Sequence, residues 1–258
     1  MWQITTLVNT HTITIRTNMV MNITTTTHIT TMMHKGLISL LHISDPTLPI
    51  GGYSHSYGLE SYVQRGEVSS EQSAKIFVVN SLRENLLYND ALYVRLAWQS
   101  YTDGDVERLS TLDMECSATK SPSEIRSASL KLGVRLLKIF ARRLPSELIQ
   151  ELELLVQNGG GHYSIVYGVI SAILGLELFD TLLSFYYNSM VCMVTNAVKL
   201  IPLGQLSGQD IIFEVEAQLE ELTQRTIELD EQMRGVCAVG FDIACMEHER
   251  LYSRLYMS

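Results

Sequence analysis

Residues 121–142 read SPSEIRSASLKLGVRLLKIFAR and contain the start and the apolar stripe of one amphipathic helix. Ser121 in the N-cap position, Pro122 in the first turn and Glu124 three residues after the cap form a helix-start pattern. Apolar residues then follow at spacings of three and four, at Ile125, Ala128, Leu132, Leu136 and Ile139. The stretch therefore predicts a helix of about five turns with one buried face.

The chain from Leu37 onward keeps this helical periodicity. Residues 69–101 lack Pro and Gly and predict one long helix or two joined helices. Pro145 opens another helix, which we expect the NGGG run at 158–161 to end. Segments 163–174 and 178–200 are apolar on most sides, which places them at the centre of a bundle. The apolar spacing within 211–222 predicts an acidic helix packed around them. We therefore predict an all-α, single-domain helical bundle of about ten helices.

Composition excludes several classes of protein. The chain has 258 residues and a formal net charge of −9, and its 19 Lys and Arg argue against a nucleic-acid-binding surface, which needs a basic face. The longest uncharged run, residues 181–198, contains too many polar side chains for a membrane-spanning helix. The four cysteines form no CxxC pair, and their low density favours reduced thiols and a cytoplasmic location.

The N-terminal segment differs from the rest. Residues 1–33 contain 12 threonines and one charged residue, Arg16, and they match neither a secretory signal nor a transit peptide. We therefore expect residues 1–36 to be a disordered extension, with translation from Met32 or Met33 as a simpler alternative. Histidines in this low-complexity segment lack ligand spacing, so a metal-binding tail is a minor alternative.

Motifs of catalysis and nucleotide binding are absent from the sequence. It contains no P-loop, no HExxH and no GxSxG. Cys245 and His248 lie three residues apart and would share a helix face. A helical metal-binding enzyme that uses these two residues is therefore the alternative to a non-enzymatic binding protein. A buried thiol is the more common role of such a cysteine. On residues alone, the chain is a helical binding module.

Three motifs in order carry a resemblance to a known family. Residues 49–60 read PIGGYSHSYGLE, in which Pro49 and the glycine pair predict a turn before a short helix that would place Tyr53, Tyr57 and Glu60 on one face. Residues 202–205 read PLGQ and are followed by Gly208 and Gln209, and the chain ends YSRLYMS at residues 252–258. Together these segments resemble the signatures of the urease accessory protein F (UreF) family.

The resemblance implies a dimer-forming, all-α protein that is not an enzyme. Members of the family bind the accessory protein UreD, also called UreH, and through that complex recruit the GTPase UreG to apo-urease. The GTPase hydrolyses the nucleotide and delivers nickel, which the carrier UreE supplies upstream. The family therefore implies a homodimer with no cofactor of its own, because nickel is handled by the complex and GTP is bound by UreG.

Candidate partner-binding residues lie at the two ends of the UreF-like domain, which we place at residues 37–249. We assign residues 250–258 as a tail that is mobile alone and orders against UreD/UreH, with packing on its own chain as the alternative. If this tail is helical, Leu251, Tyr252, Leu255 and Tyr256 would form one apolar stripe. The tail residues are Arg250, Leu251, Tyr252, Arg254, Leu255 and Tyr256.

Within the resemblance, Arg254 and Tyr53 are the residues we expect to organise the UreG-binding surface. His55 could contact nickel in transit, but a single imidazole without a second ligand nearby is more typical of a structural residue.

Acidic residues are concentrated after residue 200. Residues 201–258 contain 11 Asp and Glu against 4 Arg, a balance of −7. Such a surface would attract a cationic partner, or else it is simply a solvated helix face.

Overall fold

The computed structural model describes residues 36–258, and in this part of the chain every regular element is helical. The predicted all-α class is therefore confirmed. The predicted extension at residues 1–36 lies, apart from its last residue, outside the described residues. The helices are α1 (36–43), α2 (Leu59–Gln64), α3 (Glu71–Asn80), α4 (Leu92–Thr102), α5 (Val106–Thr119), α6 (Ser123–Phe140), α7 (Ser146–Gln157), α8 (Tyr163–Ile173), α9 (Leu178–Leu200), α10 (Gln205–Glu216), α11 (Leu219–Glu228) and α12 (Val239–His248), with a π-helix at Ser81–Ala91 and 3₁₀ turns at Gly52–Ser54 and Glu231–Met233.

The centre of the fold is α8, as its apolar composition predicted. Every residue of α8 from Ser164 to Ser171 is buried, and α4 and α6 pack against it along much of their lengths. Gly168 is the point of closest approach, because a methyl group there would overlap the Val94 carbonyl oxygen of α4. The long α9 is partly buried, and α10 and α11 pack against it. These helices form the core of the described residues.

The predicted helix at 121–142 is confirmed as α6, and its apolar stripe faces the core. The predicted cap is wrong: Pro122 occupies the N-cap position, and no side chain caps this helix end. The hydroxyl of Ser123 instead donates to a Glu249 Oε1 atom just beyond α12, at 2.5 Å. This end of α6 is therefore tied to a distant segment of the chain through Ser123.

The stretch without Pro or Gly forms one continuous helical rod, consistent with the prediction for residues 69–101. It begins at Ser70, whose hydroxyl accepts the backbone N–H of Ser73 at 3.3 Å, and it passes through the π-helix into α4. The predicted acidic helix at 211–222 is interrupted, since α10 ends at Glu216 and α11 begins at Leu219. Its four apolar residues are nevertheless buried as expected: Ile211, Val215, Leu219 and Leu222.

The remaining predicted boundaries agree closely with the structure. Pro145 immediately precedes α7, which ends at Gln157 before the glycine run. The PLGQ motif connects α9 to α10, where Gly204 occupies the N-cap position. Among residues 36–258, no helix combines the length and the apolar character that crossing a bilayer requires.

Candidate functional site

The turn at residues 49–60 is shaped by glycines with positive φ. Gly51 has a φ of 88° and Gly58 a φ of 80°, and each immediately precedes a helical segment. Tyr57 also has a positive φ, 52°, which is uncommon for an aromatic residue. The predicted shared face of Tyr53, Tyr57 and Glu60 is therefore wrong, because the left-handed residues separate the first 3₁₀ turn from α2. The turn instead presents backbone groups and two buried side chains to the end of the chain.

His55 is one of those buried side chains, and it contacts the last residue. Its Nδ1 atom lies 2.7 Å from the Ser258 Oγ atom, while its carbonyl oxygen accepts a hydrogen bond from the Asn196 amide at 2.8 Å. Burial, together with the nearby cations Lys131 and Arg135, lowers the pKa of His55 to about 4. The ring is therefore neutral at pH 7. These contacts place His55 in the packing between the turn and the tail, and whether it also binds a partner or nickel stays a prediction.

Glu60 is the second buried side chain, and its carboxylate holds the backbone of the tail. Its Oε1 atom accepts the Leu255 N–H at 2.7 Å, and its Oε2 atom accepts the Tyr256 N–H at 3.1 Å. Two successive amides converging on one anion are an arrangement that binds negative charge well. Both oxygen atoms of this buried carboxylate therefore have hydrogen-bond donors, which offsets the cost of burying the charge.

His248, the last residue of α12, connects Glu60 to a second carboxylate. Its Nε2 atom lies 3.0 Å from Glu60 Oε2, and its Nδ1 atom lies 2.8 Å from Glu124 Oε2. Glu124 Oε1 in turn accepts a hydrogen bond from Arg254 Nη1 at 2.7 Å. We call Glu60, His248 and Glu124 the tail-binding network. It joins α2, α12 and α6 and contacts the tail through both its backbone and its Arg254 side chain.

Further hydrogen bonds join the tail to the turn. The Met257 N–H donates to the Ser54 carbonyl oxygen at 2.8 Å, and the Ser56 N–H donates to the backbone oxygen of Ser258. The Gln64 amide donates to the Ser253 carbonyl oxygen at 3.0 Å. The two sequence motifs at the ends of the domain therefore form one surface.

Comparison with known proteins identifies the family. The family model for UreF matches residues 68–216, more than half of the chain. The chain belongs to the UreF family. A urease accessory protein UreF from Actinobacillus pleuropneumoniae is 43% identical over 222 residues, covering 85% of this chain and 98% of the relative. The UreF of Haemophilus influenzae strain Rd is also 43% identical, covering 85% and 94%, and that of Arthrobacter sp. strain FB24 is 30% identical, covering 86% and 96%.

The UreF tail is irregular over residues 251–258 in the isolated chain, so the apolar stripe expected of a helical tail does not form here. Its ordering against UreD/UreH stays a prediction. The amides of Leu255 and Tyr256 donate to Glu60, so they are not available for helical hydrogen bonds. The structure instead shows the alternative, a tail packed on its own chain. Whether the tail binds a partner stays a prediction.

The predicted partner-binding residues differ in exposure. Tyr252 is fully exposed, Leu255 and Arg250 are exposed, and Leu251 is half-buried, whereas Tyr256 is buried. Arg254 is partly exposed beside Glu124.

Tyr53 lies in the turn of this UreF rather than in the tail. Its ring is half-buried, and the Lys199 Nζ atom near the end of α9 lies 5.3 Å from the ring centroid.

The alternative metal site at Cys245 and His248 finds little support in this UreF. Both residues are buried on α12, as their spacing predicted, but both ring nitrogens of His248 face carboxylates. Burial raises the pKa of Cys245, which disfavours the thiolate that a metal requires. Within residues 36–258 no group of three or more His, Cys, Asp or Glu side chains is placed to hold a metal ion.

Glu60 and Glu124 were not among the functional residues predicted from the sequence, and His248 was predicted only as a possible metal ligand. The two carboxylates lie 188 and 124 positions from His248 in the sequence. The only local signal was an acidic residue within the PIGGYSHSYGLE motif of this UreF chain.

Proposed function

We propose that this chain is a non-enzymatic urease accessory protein that bridges UreD/UreH and the GTPase UreG on apo-urease in the cytoplasm. In this role it acts as a scaffold for GTP-dependent nickel insertion into the urease active site. Family membership supports the accessory role, because the relatives are urease accessory proteins. Nickel is the cargo of the complex and GTP is bound by UreG, so the chain itself requires neither as a cofactor.

The exposed apolar side chains near the C-terminus support docking of UreD/UreH. Tyr252, Leu255 and Met257 project from the tail into solvent. The helix that leads into the tail, α12, exposes Val239, Ile243 and Met246, which are spaced to share one helix face. Aromatic, aliphatic and methionine side chains of this kind are typical of the centre of a protein interface. This exposed apolar segment is the observation that carries the proposal.

Two buried charged groups, Asp113 and Arg95, support a scaffold role, because they hold backbone in place. Asp113 of α5 accepts the N–H groups of Gly161 and His162, which precede α8. The Arg95 Nη1 atom donates to the carbonyl oxygens of Thr226, Ile227 and Leu229 at the end of α11, at distances of 2.7–2.9 Å. Each of these groups therefore has a structural partner that explains its burial.

Charge provides a further argument for protein partners. The exposed acidic side chains of α10 and α11 contribute to the balance of −7 over residues 201–258. A negative surface accelerates encounter with a cationic partner surface at low ionic strength. Within this proposal, Arg254 and Tyr53 remain the residues assigned to UreG capture, and the chain acts as a homodimer, as the family resemblance implies.

Co-purification tests the docking step directly. Tagged UreD/UreH from a urease-producing bacterium is co-expressed with the chain, and the captured chain is quantified. We expect stoichiometric capture of the wild type and strong loss with Leu255→Asp. Leu154→Asp is the matched control, because Leu154 is an exposed leucine on α7. Equal capture of both variants, or no capture of the wild type, would contradict the proposal.

A cellular assay tests the accessory role. In a urease-positive strain that lacks its own UreF, we expect the chain to restore urease activity and urease nickel content together. Restoration of neither would show that the accessory role is not performed in that strain with its partners.

A further inference from the structure

The tail alternates between inward and outward side chains over its last four residues. Leu255 and Met257 are exposed, whereas Tyr256 and Ser258 are buried. A shift of one residue along the chain would exchange the two sets, turning the apolar pair inward and Tyr256 outward. The register of the tail against the turn therefore decides which side chains a partner meets.

Glu60 fixes this register at one point. Its two oxygen atoms accept the N–H groups of Leu255 and Tyr256, one oxygen to each amide. A slipped tail would leave one of these buried acceptor positions without its donor, which is costly in the protein interior. Because the carboxylate belongs to α2, the tail is positioned relative to the core of the protein.

His248 and Glu124 extend the same control to the Arg254 side chain. His248 lies between the two carboxylates, at 3.0 Å from Glu60 Oε2 and 2.8 Å from Glu124 Oε2. Each ring nitrogen therefore faces a carboxylate oxygen of a different helix. Glu124 then receives Arg254 at 2.7 Å. The network thus contacts the tail at the backbone of Leu255 and Tyr256 and at the neighbouring Arg254 side chain.

We propose that Glu60, His248 and Glu124 are positioning residues that fix the register of the tail, so that Tyr252, Leu255 and Met257 face the partner and Tyr256 faces the core. The occupant of the outward face is UreD/UreH, so this inference rests on the proposed function. The three residues act through the tail and do not themselves contact the partner.

Thiol labelling of the isolated full chain measures the register. In a Cys237→Ser background, which removes the exposed cysteine, Leu255→Cys is expected to react with a maleimide much faster than Tyr256→Cys. Adding Glu60→Gln should lower the ratio of the Leu255→Cys labelling rate to the Tyr256→Cys labelling rate by about tenfold or more, because the charged acceptor is lost. Glu147→Gln, an exposed glutamate of α7, is the matched control and should leave the ratio unchanged.

Glu124→Gln provides a second route if the buried Glu60→Gln variant fails to fold. It should lower the labelling ratio in the same direction, while the thermal midpoint of the protein stays near that of the wild type. Equal labelling rates for Leu255→Cys and Tyr256→Cys in the wild-type network would overturn the register. A ratio unaffected by folded Glu60→Gln and Glu124→Gln variants would overturn the role of the network.

Capture by UreD/UreH separates this inference from the proposed function. We expect Glu60→Gln to reduce capture and Glu147→Gln to leave it unchanged. Failure of the wild type to be captured would reject the proposed function, and the labelling ratio would still decide the register. Full capture of a folded Glu60→Gln variant by a partner that captures the wild type would reject the inference alone.

Discussion

The Nδ1 atom of His55 lies 2.7 Å from the Oγ atom of Ser258, which joins the first motif of the chain to its last residue across 203 positions of sequence. The imidazole is buried, and desolvation lowers its pKa to about 4 from an ordinary value of 6.5. Nearby Lys131 and Arg135 act in the same direction. The contact is therefore made by a neutral ring, and it is sensitive to acid.

Stability should fall as the pH falls from about 6.5 towards 4. The unfolded chain binds a proton at this histidine throughout that window, whereas the folded chain does not, so acid favours the unfolded state. We expect a loss of about 1–2 kcal/mol between pH 6.5 and pH 5 from His55. Urea unfolding of the wild type and His55→Asn at both pH values measures it. An equally steep pH dependence in the variant would contradict this account.

Asp113 should be important for folding, although it lies outside the tail region. Its carboxylate accepts the His162 N–H at 2.8 Å and the Gly161 N–H at 3.1 Å, so it caps α8 from a different helix. Asp113→Asn replaces one acceptor with a donor that would face these amides. We expect a loss of about 1–3 kcal/mol in the free energy of unfolding.

Asp105→Asn serves as the control for that measurement. Asp105 caps α5 through the Arg108 N–H at 3.3 Å, and asparagine caps helices as well as aspartate does. The free energy of unfolding, measured with urea, should therefore change by less than about 0.5 kcal/mol. A comparable loss in both variants would show that cap position, rather than burial of the acceptor, controls the effect.

Gly168→Ala should separate α8 from α4. A methyl group at Gly168 would overlap the Val94 carbonyl oxygen, which is backbone and cannot rotate away. We expect a destabilisation of about 1–3 kcal/mol, despite the higher helix propensity of alanine. Gly204→Ala is the control, because a methyl group there meets nothing within 4 Å and φ is −69°. Thermal unfolding of the two variants should therefore differ clearly; equal midpoints would refute the close contact.

The sequence was sufficient where the determining interactions are local. The stripe from Ile125 to Leu136 predicted the buried face of α6 because residues three and four apart share a helix face. Ser121 was wrong as the cap of α6 because Pro122 occupies the N-cap position. The bond from the Ser123 hydroxyl to Glu249, 126 positions away, has no signal in the local sequence. The packing of the tail on its own chain also has no local signal, because the acceptor of its amides, Glu60, lies almost 200 positions away. Periodicity carries no information about such long-range polar pairs.

Arg254→Ala should weaken UreG capture while leaving the fold and UreD/UreH binding intact, because Glu60 still holds the tail backbone in register. The ion pair between Arg254 and Glu124 is 39% exposed on the arginine side, and exposed pairs contribute only about 0–1 kcal/mol to stability. The guanidinium uses Nη1 for Glu124, and its other donors suit a carboxylate on a partner. A loss of UreG capture by the variant would thus report recognition rather than unfolding.

Sequential pull-down tests this assignment with Arg142→Ala as the control, since Arg142 is also an exposed arginine. Each variant is first captured on tagged UreD/UreH, and UreG is then added and quantified relative to the captured chain. We expect about tenfold less UreG with Arg254→Ala and normal UreG with Arg142→Ala, because a charge-assisted hydrogen bond lost at an interface costs about that much. Normal UreG recovery with Arg254→Ala would move the UreG-binding surface away from the tail. Loss of UreD/UreH capture as well would instead place Arg254 in the first docking step.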